Sequence, residues 1–216
     1  MIRLSPLNAI LDDDAATRAG WTLVDLAAEY VAGGATFLQL RAKHRSSAWL
    51  LETAERLVAL GAAAGAQLIV NDRADVARLS GAAGVHVGQD DLSPSHVRRL
   101  LGSDRIVGIS THSVAQLDAA VEQPVDYVAV GPVFGTASKD TGYEPVGLRL
   151  VEEAAARGRP RGLHVVAIGG VTLERASDVL RAGATSVAII GDLLSTGAPR
   201  ARVREYLDRL SAIGRV

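Results

Sequence analysis

The stretch "LIVNDRADVARLSGAAGVHVGQDD", residues 68–91, contains two short apolar segments, and each of them runs into acidic residues. The segments, 67–71 and 84–87, are rich in valine, isoleucine and leucine and have no exposed polar face. Segments of this kind are typical of strands in a parallel sheet that is covered on both faces. The residues between them predict a short helix, so the stretch predicts a strand–helix–strand unit.

The same unit recurs along the whole chain. Short apolar runs predict strands at 7–12, 36–40, 67–71, 84–87, 105–110, 126–131, 164–170 and 186–191. Amphipathic segments between them predict helices, with Ser46 and Ser93 as N-caps and Pro94 in a first turn. Eight such units predict an α/β protein, a (β/α)8 TIM barrel that forms a single domain over residues 1–216.

A doubly wound open sheet is the alternative architecture. Such a sheet usually has fewer strands, and it needs a phosphate-binding loop after the first of them. The first predicted strand instead runs into "LDDDAA", residues 11–16, which lacks the glycines of such a loop. The pattern therefore favours the barrel.

Composition limits the classes of partner. The 216 residues are 48% hydrophobic and carry a net charge of −1, which gives no electrostatic basis for binding nucleic acid or a membrane surface. No apolar run reaches the roughly 18 residues of a membrane span, and the first residues do not resemble a signal peptide. With no cysteine, thiolate chemistry is excluded. We expect a cytoplasmic protein that acts on small molecules, and homo-oligomer formation stays open.

The distribution of lysine is unusual. Of the 23 basic residues, all are arginine except Lys43 and Lys139. Arginine and lysine are not interchangeable where a compact ammonium is needed, so retained lysines indicate such sites. In a TIM barrel the active site lies at the C-terminal ends of the strands. Lys43 follows the second strand and Lys139 lies in the loop after the sixth, so we expect both at that end.

Two acids follow neighbouring strands. Asp72 ends the third strand and Asp91 follows the fourth, and either one alone would more often be a helix cap or a turn residue. Neighbouring strands lie about 4.8 Å apart, so the two carboxylates can meet at one site, where they need a cation between them. Oxygen ligands without cysteine favour Mg²⁺. With Arg41 and Lys43 on one face of the second strand, the set predicts a pyrophosphate pocket.

A second anion site is predicted from backbone groups. "AIGG" (167–170) and "IIG" (189–191) end the seventh and eighth strands. Amide groups after these strands often bind phosphate in TIM barrels, although ordinary tight turns have the same glycines. The segment after the eighth strand predicts a short helix beside them. His86 lies inside a strand and is predicted to be structural, whereas the role of His112 stays open.

Seven motifs in order resemble the thiamine-phosphate synthase family. They are "QLRAK" (39–43), "VNDRADVA" (70–77), "GVHVGQDDL" (84–92), "GISTHS" (108–113), "VAVGPVFGTASK" (128–139), "PVGL" (145–148) and "VAIGGV" (166–171). The resemblance implies a (β/α)8 transferase that joins hydroxymethylpyrimidine pyrophosphate to thiazole phosphate with Mg²⁺, giving thiamine phosphate and pyrophosphate. It also implies ionisation to a pyrimidine carbocation, which the thiazole nitrogen attacks without a protein nucleophile.

The resemblance also implies a role for each motif residue. Asp72 and Asp91 would bind Mg²⁺, and Gln39 and Ser110 would contact the pyrimidine. The pyrophosphate would be bound by Arg41, Lys43, Asn71 and Lys139. The thiazole phosphate would be bound by Thr136, Ser138 and the amides of Gly170, Ile190 and Gly191. The catalytic residues would be Arg41, Lys43, Ser110 and Lys139.

Two other functions remain as alternatives. One is a barrel like the thiazole tautomerases, which share "VAIGG" but lack the residues for Mg²⁺ and pyrophosphate. The other is a non-catalytic phosphate-binding barrel that acts as a sensor. The presence of Asp72, Asp91, Lys43 and Lys139 together favours the synthase.

Overall fold

The computed structural model describes residue 2 and residues 4–135 and 142–213, and within them eight parallel strands close into a barrel. The strands are β1 Leu7–Asp12, β2 Phe37–Arg41, β3 Gln67–Asn71, β4 Gly84–Val87, β5 Ile106–Thr111, β6 Tyr127–Val130, β7 His164–Ile168 and β8 Ser186–Ile189. Each strand pairs with the next, and β8 pairs with β1. The predicted TIM barrel is confirmed, and the open sheet is excluded.

Helices connect the strands on the outside of the barrel. They are α1 Asp13–Arg18, α2 Leu23–Ala32, α3 Ser47–Ala62, α4 Ala74–Ser80, α5 Pro94–Leu101, α6 Val114–Ala120, α7 Gly147–Gly158, α8 Leu173–Arg181 and α9 Pro199–Ser211, with 3-10 turns at Arg159–Arg161 and Gly191–Leu193. The predicted caps are confirmed, since Ser46 accepts from the amide of Trp49 and Ser93 accepts from that of His96. Among the described residues, no helix has the length and apolarity that crossing a membrane requires.

The seventh and eighth strands are shorter than the glycine-containing runs predict. β7 ends at Ile168, because Gly169 and Gly170 have φ of 97° and 61°, outside the β region. β8 ends at Ile189, before the turn that begins at Gly191. The runs therefore contain a strand and its turn, and the turn residues lie at the C-terminal end of the barrel.

Side chains of successive strand residues point alternately into the barrel and towards the helices. The interior apolar cluster includes Ile10, Phe37 and Ile69, whereas their neighbours Leu38 and Val70 belong to the larger outer cluster under the helices. This explains why the strands are apolar on both faces. The same alternation continues the inward face of β2 from Phe37 through Gln39 to Arg41. Polar residues at the ends of the strands therefore line the mouth of the barrel.

Candidate active site

A cavity of about 610 Å³ opens at the C-terminal ends of the strands. Every predicted site residue that the structure describes lines it: Gln39, Arg41, Lys43, Asn71, Asp72, Asp91, Ser110, Gly170, Ile190 and Gly191. Thr136, Ser138 and Lys139 lie outside the described residues. Closure of the barrel therefore brings motifs from six different strands to one cavity.

Asp72 is not a helix cap. The N-cap of α4 is Arg73, whose side chain makes no capping hydrogen bond. Asp72 has φ of 65°, a left-handed conformation, and its amide donates to the carbonyl of His86 at 2.7 Å. Non-glycine residues adopt this conformation at a cost of about 1 kcal/mol, and aspartate and asparagine do so most readily. Strain of this kind is typical of residues at functional sites.

The carboxylates of Asp72 and Asp91 lie together at the rim of the cavity. Burial raises the pKa of Asp72, and the charge of Asp91 and a hydrogen bond with it raise that pKa further. Lys43 opposes this shift with its ammonium, whose Nζ lies 3.4 Å from Asp72 Oδ2. One ammonium does not neutralise two carboxylates. The pair could therefore hold a hard divalent cation through oxygen ligands.

The protein supplies only part of a coordination shell at this position. Within residues 4–135 and 142–213, no group of three or more His, Cys, Asp or Glu residues is close enough to bind a metal ion. Asp91 also has the structural role expected of a turn residue, because its Oδ2 accepts from the amide of Gly88 at 2.7 Å. A cation bound between Asp72 and Asp91 would leave coordination positions open for ligand oxygens and water.

Arg41 is held by an acid that the sequence did not identify. Its guanidinium pairs with the buried carboxylate of Asp12, which also accepts from the amide of Ala15 at 2.9 Å and so caps α1. The Nε of Arg41 is buried and has no hydrogen-bond partner among the described residues. Asp12 therefore orients Arg41 in the wall of the cavity.

A chain of hydrogen bonds crosses the inside of the barrel below these charges. Tyr127 Oη lies 3.0 Å from His86 Nδ1, and His86 Nε2 lies 2.8 Å from Ser110 Oγ. Burial first, and then the charge of Asp126, raise the pKa of Tyr127, while a hydrogen bond with Gln39 lowers it. The phenol therefore stays protonated. His86 is buried, as predicted for a structural histidine, and it also lines the cavity.

The position of Tyr127 depends on a glycine in the neighbouring strand. A Cβ atom on Gly108 would lie 2.0 Å from Cζ of Tyr127, so the ring occupies the space that a side chain would take. The two residues are paired in register between β5 and β6. Gly108 thus allows the ring of Tyr127 to lie across the barrel and reach His86.

We predict that Gly108→Ala will lower the free energy of unfolding by about 3 kcal/mol, because the added methyl overpacks a buried ring. Urea denaturation of the two proteins measures this difference. Gly135→Ala is the matched control, since a Cβ there meets no described atom within 4 Å. Equal stability of the Gly108 variant and the unsubstituted chain would show that Tyr127 can move aside.

The other side of the cavity consists of glycine turns. A Cβ on Gly170 would lie 2.3 Å from the carbonyl oxygen of Gly135, so no other residue fits there. The predicted short helix after β8 is a single 3-10 turn, Gly191–Leu193. Arg175 lines this side and donates to the carbonyl of Gly170 at 3.3 Å. Because Arg175 lies in an ordinary amphipathic helix, nothing in the sequence indicated that it would line the cavity.

Comparisons with known proteins show which family the chain resembles. The family model described as thiamine monophosphate synthase matches residues 7–193. A thiamine-phosphate synthase from Koribacter versatilis is 43% identical over 212 residues, which cover 97% of this chain and 97% of the relative. One from Roseiflexus castenholzii is 42% identical over 187 residues, 87% of this chain and 81% of the relative.

A solved structure shows the same similarity in three dimensions. Thiamine phosphate pyrophosphorylase from Pyrococcus furiosus has a TM-score of 0.85 and 25% identity, covering 96% of each chain. A structure described as native KDPGal, with a TM-score of 0.72 and 15% identity, shares the fold alone. The chain therefore belongs to the thiamine monophosphate synthase family, and its activity is the transferase activity of thiamine-phosphate synthases.

Proposed function

We propose that the chain couples hydroxymethylpyrimidine pyrophosphate with thiazole phosphate by a dissociative substitution. The bond between the pyrimidine methylene carbon and the pyrophosphate oxygen breaks, and the pyrophosphate leaves with the electron pair. The thiazole nitrogen then forms the new C–N bond to the methylene carbon. The observation that carries this proposal is the meeting of Asp72, Asp91 and Lys43 at a cavity whose opposite side consists of glycine turns.

Asp72 and Asp91 would hold Mg²⁺. Their oxygen-only donor set, with two carboxylates and one nearby ammonium, fits this ion, and the open positions suit phosphate oxygens. When bound, the ion supplies positive charge to the departing pyrophosphate. Lys43 lies beside Asp72 and would donate to the pyrophosphate. The amide side chain of Asn71, at the end of β3, would also contact the pyrophosphate.

Arginine and lysine side chains would stabilise the remaining negative charge on the departing pyrophosphate. Arg41 lines the cavity, and its pairing with Asp12 fixes the guanidinium before substrate binds. Such preorganised groups stabilise developing charge without reorganising during the reaction. Lys139 is proposed for the same role by its motif. The proposed catalytic groups are thus Arg41, Lys43 and Lys139, and Ser110 is proposed as a fourth through its contact with the pyrimidine.

The pyrimidine would lie deeper in the barrel. Gln39 and Ser110 face the interior, and the hydrogen-bonded chain through Tyr127 and His86 connects them. The amide of Gln39 and the hydroxyl of Ser110 can bind the pyrimidine ring while leaving the methylene exposed to the thiazole. No group with nucleophilic chemistry is needed, because the cation forms by departure of pyrophosphate.

The thiazole phosphate would bind to the opposite side of the cavity. The backbone amides of Gly170, Ile190 and Gly191 lie there, and neutral N–H groups in turns bind phosphate well. Thr136 and Ser138 are proposed as further contacts by their motif. Both substrates are small phosphorylated molecules, so the proposal requires neither nucleic acid nor a membrane as partner.

Release of pyrophosphate tests the proposal directly. We expect the purified protein with both substrates and Mg²⁺ to release pyrophosphate and to form thiamine phosphate in equal amounts. Omission of the thiazole phosphate, or addition of a chelator, is expected to abolish product formation. Thiazole isomerisation without pyrophosphate release would instead support the tautomerase-like alternative, and binding without any reaction would support the sensor.

A further inference from the structure

Asp192 collects three hydrogen bonds on one carboxylate oxygen. Its Oδ2 accepts from the hydroxyl of Tyr206 at 2.5 Å, from Nη2 of Arg202 at 2.8 Å and from the amide of Leu173 at 3.3 Å. The residue lies in the turn after β8, directly after Gly191. Its three partners lie 10 to 19 positions away in the chain, Leu173 in α8 and Arg202 and Tyr206 in α9. The carboxylate therefore joins the turn after β8 to two helices.

The bond to Leu173 links the two glycine turns. Leu173 is the first residue of α8, and Gly170 lies three positions before it in the chain. The N-cap residue, Thr172, has no side-chain cap bond within the described chain. Asp192 therefore accepts a hydrogen bond from the amide of Leu173, one of the first amides of α8, which have no acceptor within the helix. Through this bond the turn after β7 is connected to the turn after β8.

The last helix anchors the same carboxylate. Tyr206 is fully buried in the core, and Arg202 also donates from Nε to the backbone carbonyl of Asp192 at 3.4 Å. The pKa of Tyr206 is raised, first by burial and then by its hydrogen bond to Asp192, so its hydroxyl remains a donor. The side chains of Arg202 and Asp192 are 11% and 17% exposed. Three donors and low exposure make this a rigid connection.

We propose that Asp192 is a positioning residue that holds the backbone amides of Gly170 and Gly191 at the spacing required by the thiazole phosphate. This inference rests on the proposed function. Glycine turns have many accessible conformations, so amides on two such turns lose phosphate affinity unless another group fixes them. Arg202 offsets the negative charge of Asp192, which would otherwise repel the phosphate. The carboxylate thus acts through the backbone, since its Oδ2 already accepts from Leu173, Arg202 and Tyr206.

Tyr206→Phe is the primary test, because it removes one bond to Asp192 without changing any charge. Calorimetry would measure the Kd of thiazole phosphate and of the same thiazole with a free hydroxyl in place of phosphate. We expect the Kd and KM for thiazole phosphate to rise about tenfold, as for loss of a hydrogen bond to a charged group. The Kd of the thiazole alcohol, kcat and the KM for the pyrimidine substrate are expected to stay unchanged.

Tyr30→Phe is the matched control for this variant. Tyr30 is also fully buried, and its hydroxyl has no hydrogen-bond partner among the described residues. We expect this variant to keep both thiazole affinities. An unchanged Kd for thiazole phosphate in Tyr206→Phe would overturn the inference. An equal loss for the phosphate and the alcohol would also overturn it, since that result describes a general disturbance of the cavity.

Asp192→Asn provides a second measurement in the same direction. Asp126→Asn is its control, because Asp126 accepts from Arg98 at 2.5 Å and from the amide of Val107 at 2.8 Å, before β6 at the other end of the barrel. We expect only Asp192→Asn to weaken binding of thiazole phosphate. Tighter binding would show that charge repulsion outweighs positioning and would overturn the inference. Failure of the unsubstituted chain to bind thiazole phosphate would instead overturn the proposed function.

Discussion

Asp72→Asn is expected to lower kcat by about 100-fold to 1,000-fold, the effect typical of losing a group that stabilises charge in the transition state. The physical reason is loss of one of two carboxylates at the proposed Mg²⁺ site. Asparagine is the informative replacement, because it adopts the left-handed conformation of Asp72 nearly as readily as aspartate. Alanine would add backbone strain to the loss of charge.

The same substitution is expected to stabilise the fold when Mg²⁺ is absent. The pKa of Asp72 is raised in the folded chain, so the ionised carboxylate costs stability at neutral pH. That cost is present above the folded pKa and disappears as pH falls below the ordinary pKa of an aspartate. We therefore expect Asp72→Asn to unfold at a higher temperature than the unsubstituted chain at neutral pH, with the difference vanishing in acid.

Pyrophosphate release and thermal unfolding with and without Mg²⁺ measure both effects. An ion that binds only the folded state raises its stability, so Mg²⁺ is expected to raise the Tm of the unsubstituted chain and not that of the variant. Retention of full turnover together with an unchanged response to Mg²⁺ would show that Asp72 is not a ligand. Loss of turnover with a lower Tm would point to a structural role.

Lys43→Met is expected to reduce kcat/KM for hydroxymethylpyrimidine pyrophosphate by about 100-fold, because the ammonium is proposed to contact the leaving group. Methionine keeps most of the length of the side chain and removes its charge. Lys43→Arg should restore only part of the activity, since a planar guanidinium cannot replace a compact ammonium 3.4 Å from Asp72.

Arg45→Met is the matched control for Lys43. The two side chains are 43% and 45% exposed, and each pairs with an aspartate, Arg45 with Asp13 and Lys43 with Asp72. Arg45 does not line the cavity, so its variant is expected to keep normal kinetics. Similar kinetic losses in both variants, measured by pyrophosphate release under the same conditions, would mean that Lys43 acts through the general charge of the surface.

Local pattern was sufficient to predict much of the fold. The alternation of apolar runs and amphipathic segments predicts all eight strands, and β1, β3 and β4 have the bounds that the sequence indicates. The predicted end of β7 was wrong by two residues, because the two glycines in the run do not themselves show where φ becomes positive. The site motifs were predictable because they follow strands whose ends must meet in a barrel.

Contacts between distant segments could not be predicted in the same way. In the sequence, Asp12 is one of three consecutive aspartates, and nothing distinguishes it from the other two. Its pairing with Arg41 depends on the register between β1 and β2. The ring of Tyr127 reaches His86 only because Gly108 lies beside it in the neighbouring strand. Each of these contacts depends on which strands become neighbours and in what register.

The sequence by itself determined the order of strands and helices and the placement of the charged motifs at one end of the barrel. These properties depend on periodicity and on chain direction, which are local. The tertiary structure alone decided that Asp72 is strained beside Asp91 and that Asp192 joins β8 to α8 and α9. Such pairings require the barrel to close, because only closure brings residues from distant parts of the chain within hydrogen-bond distance.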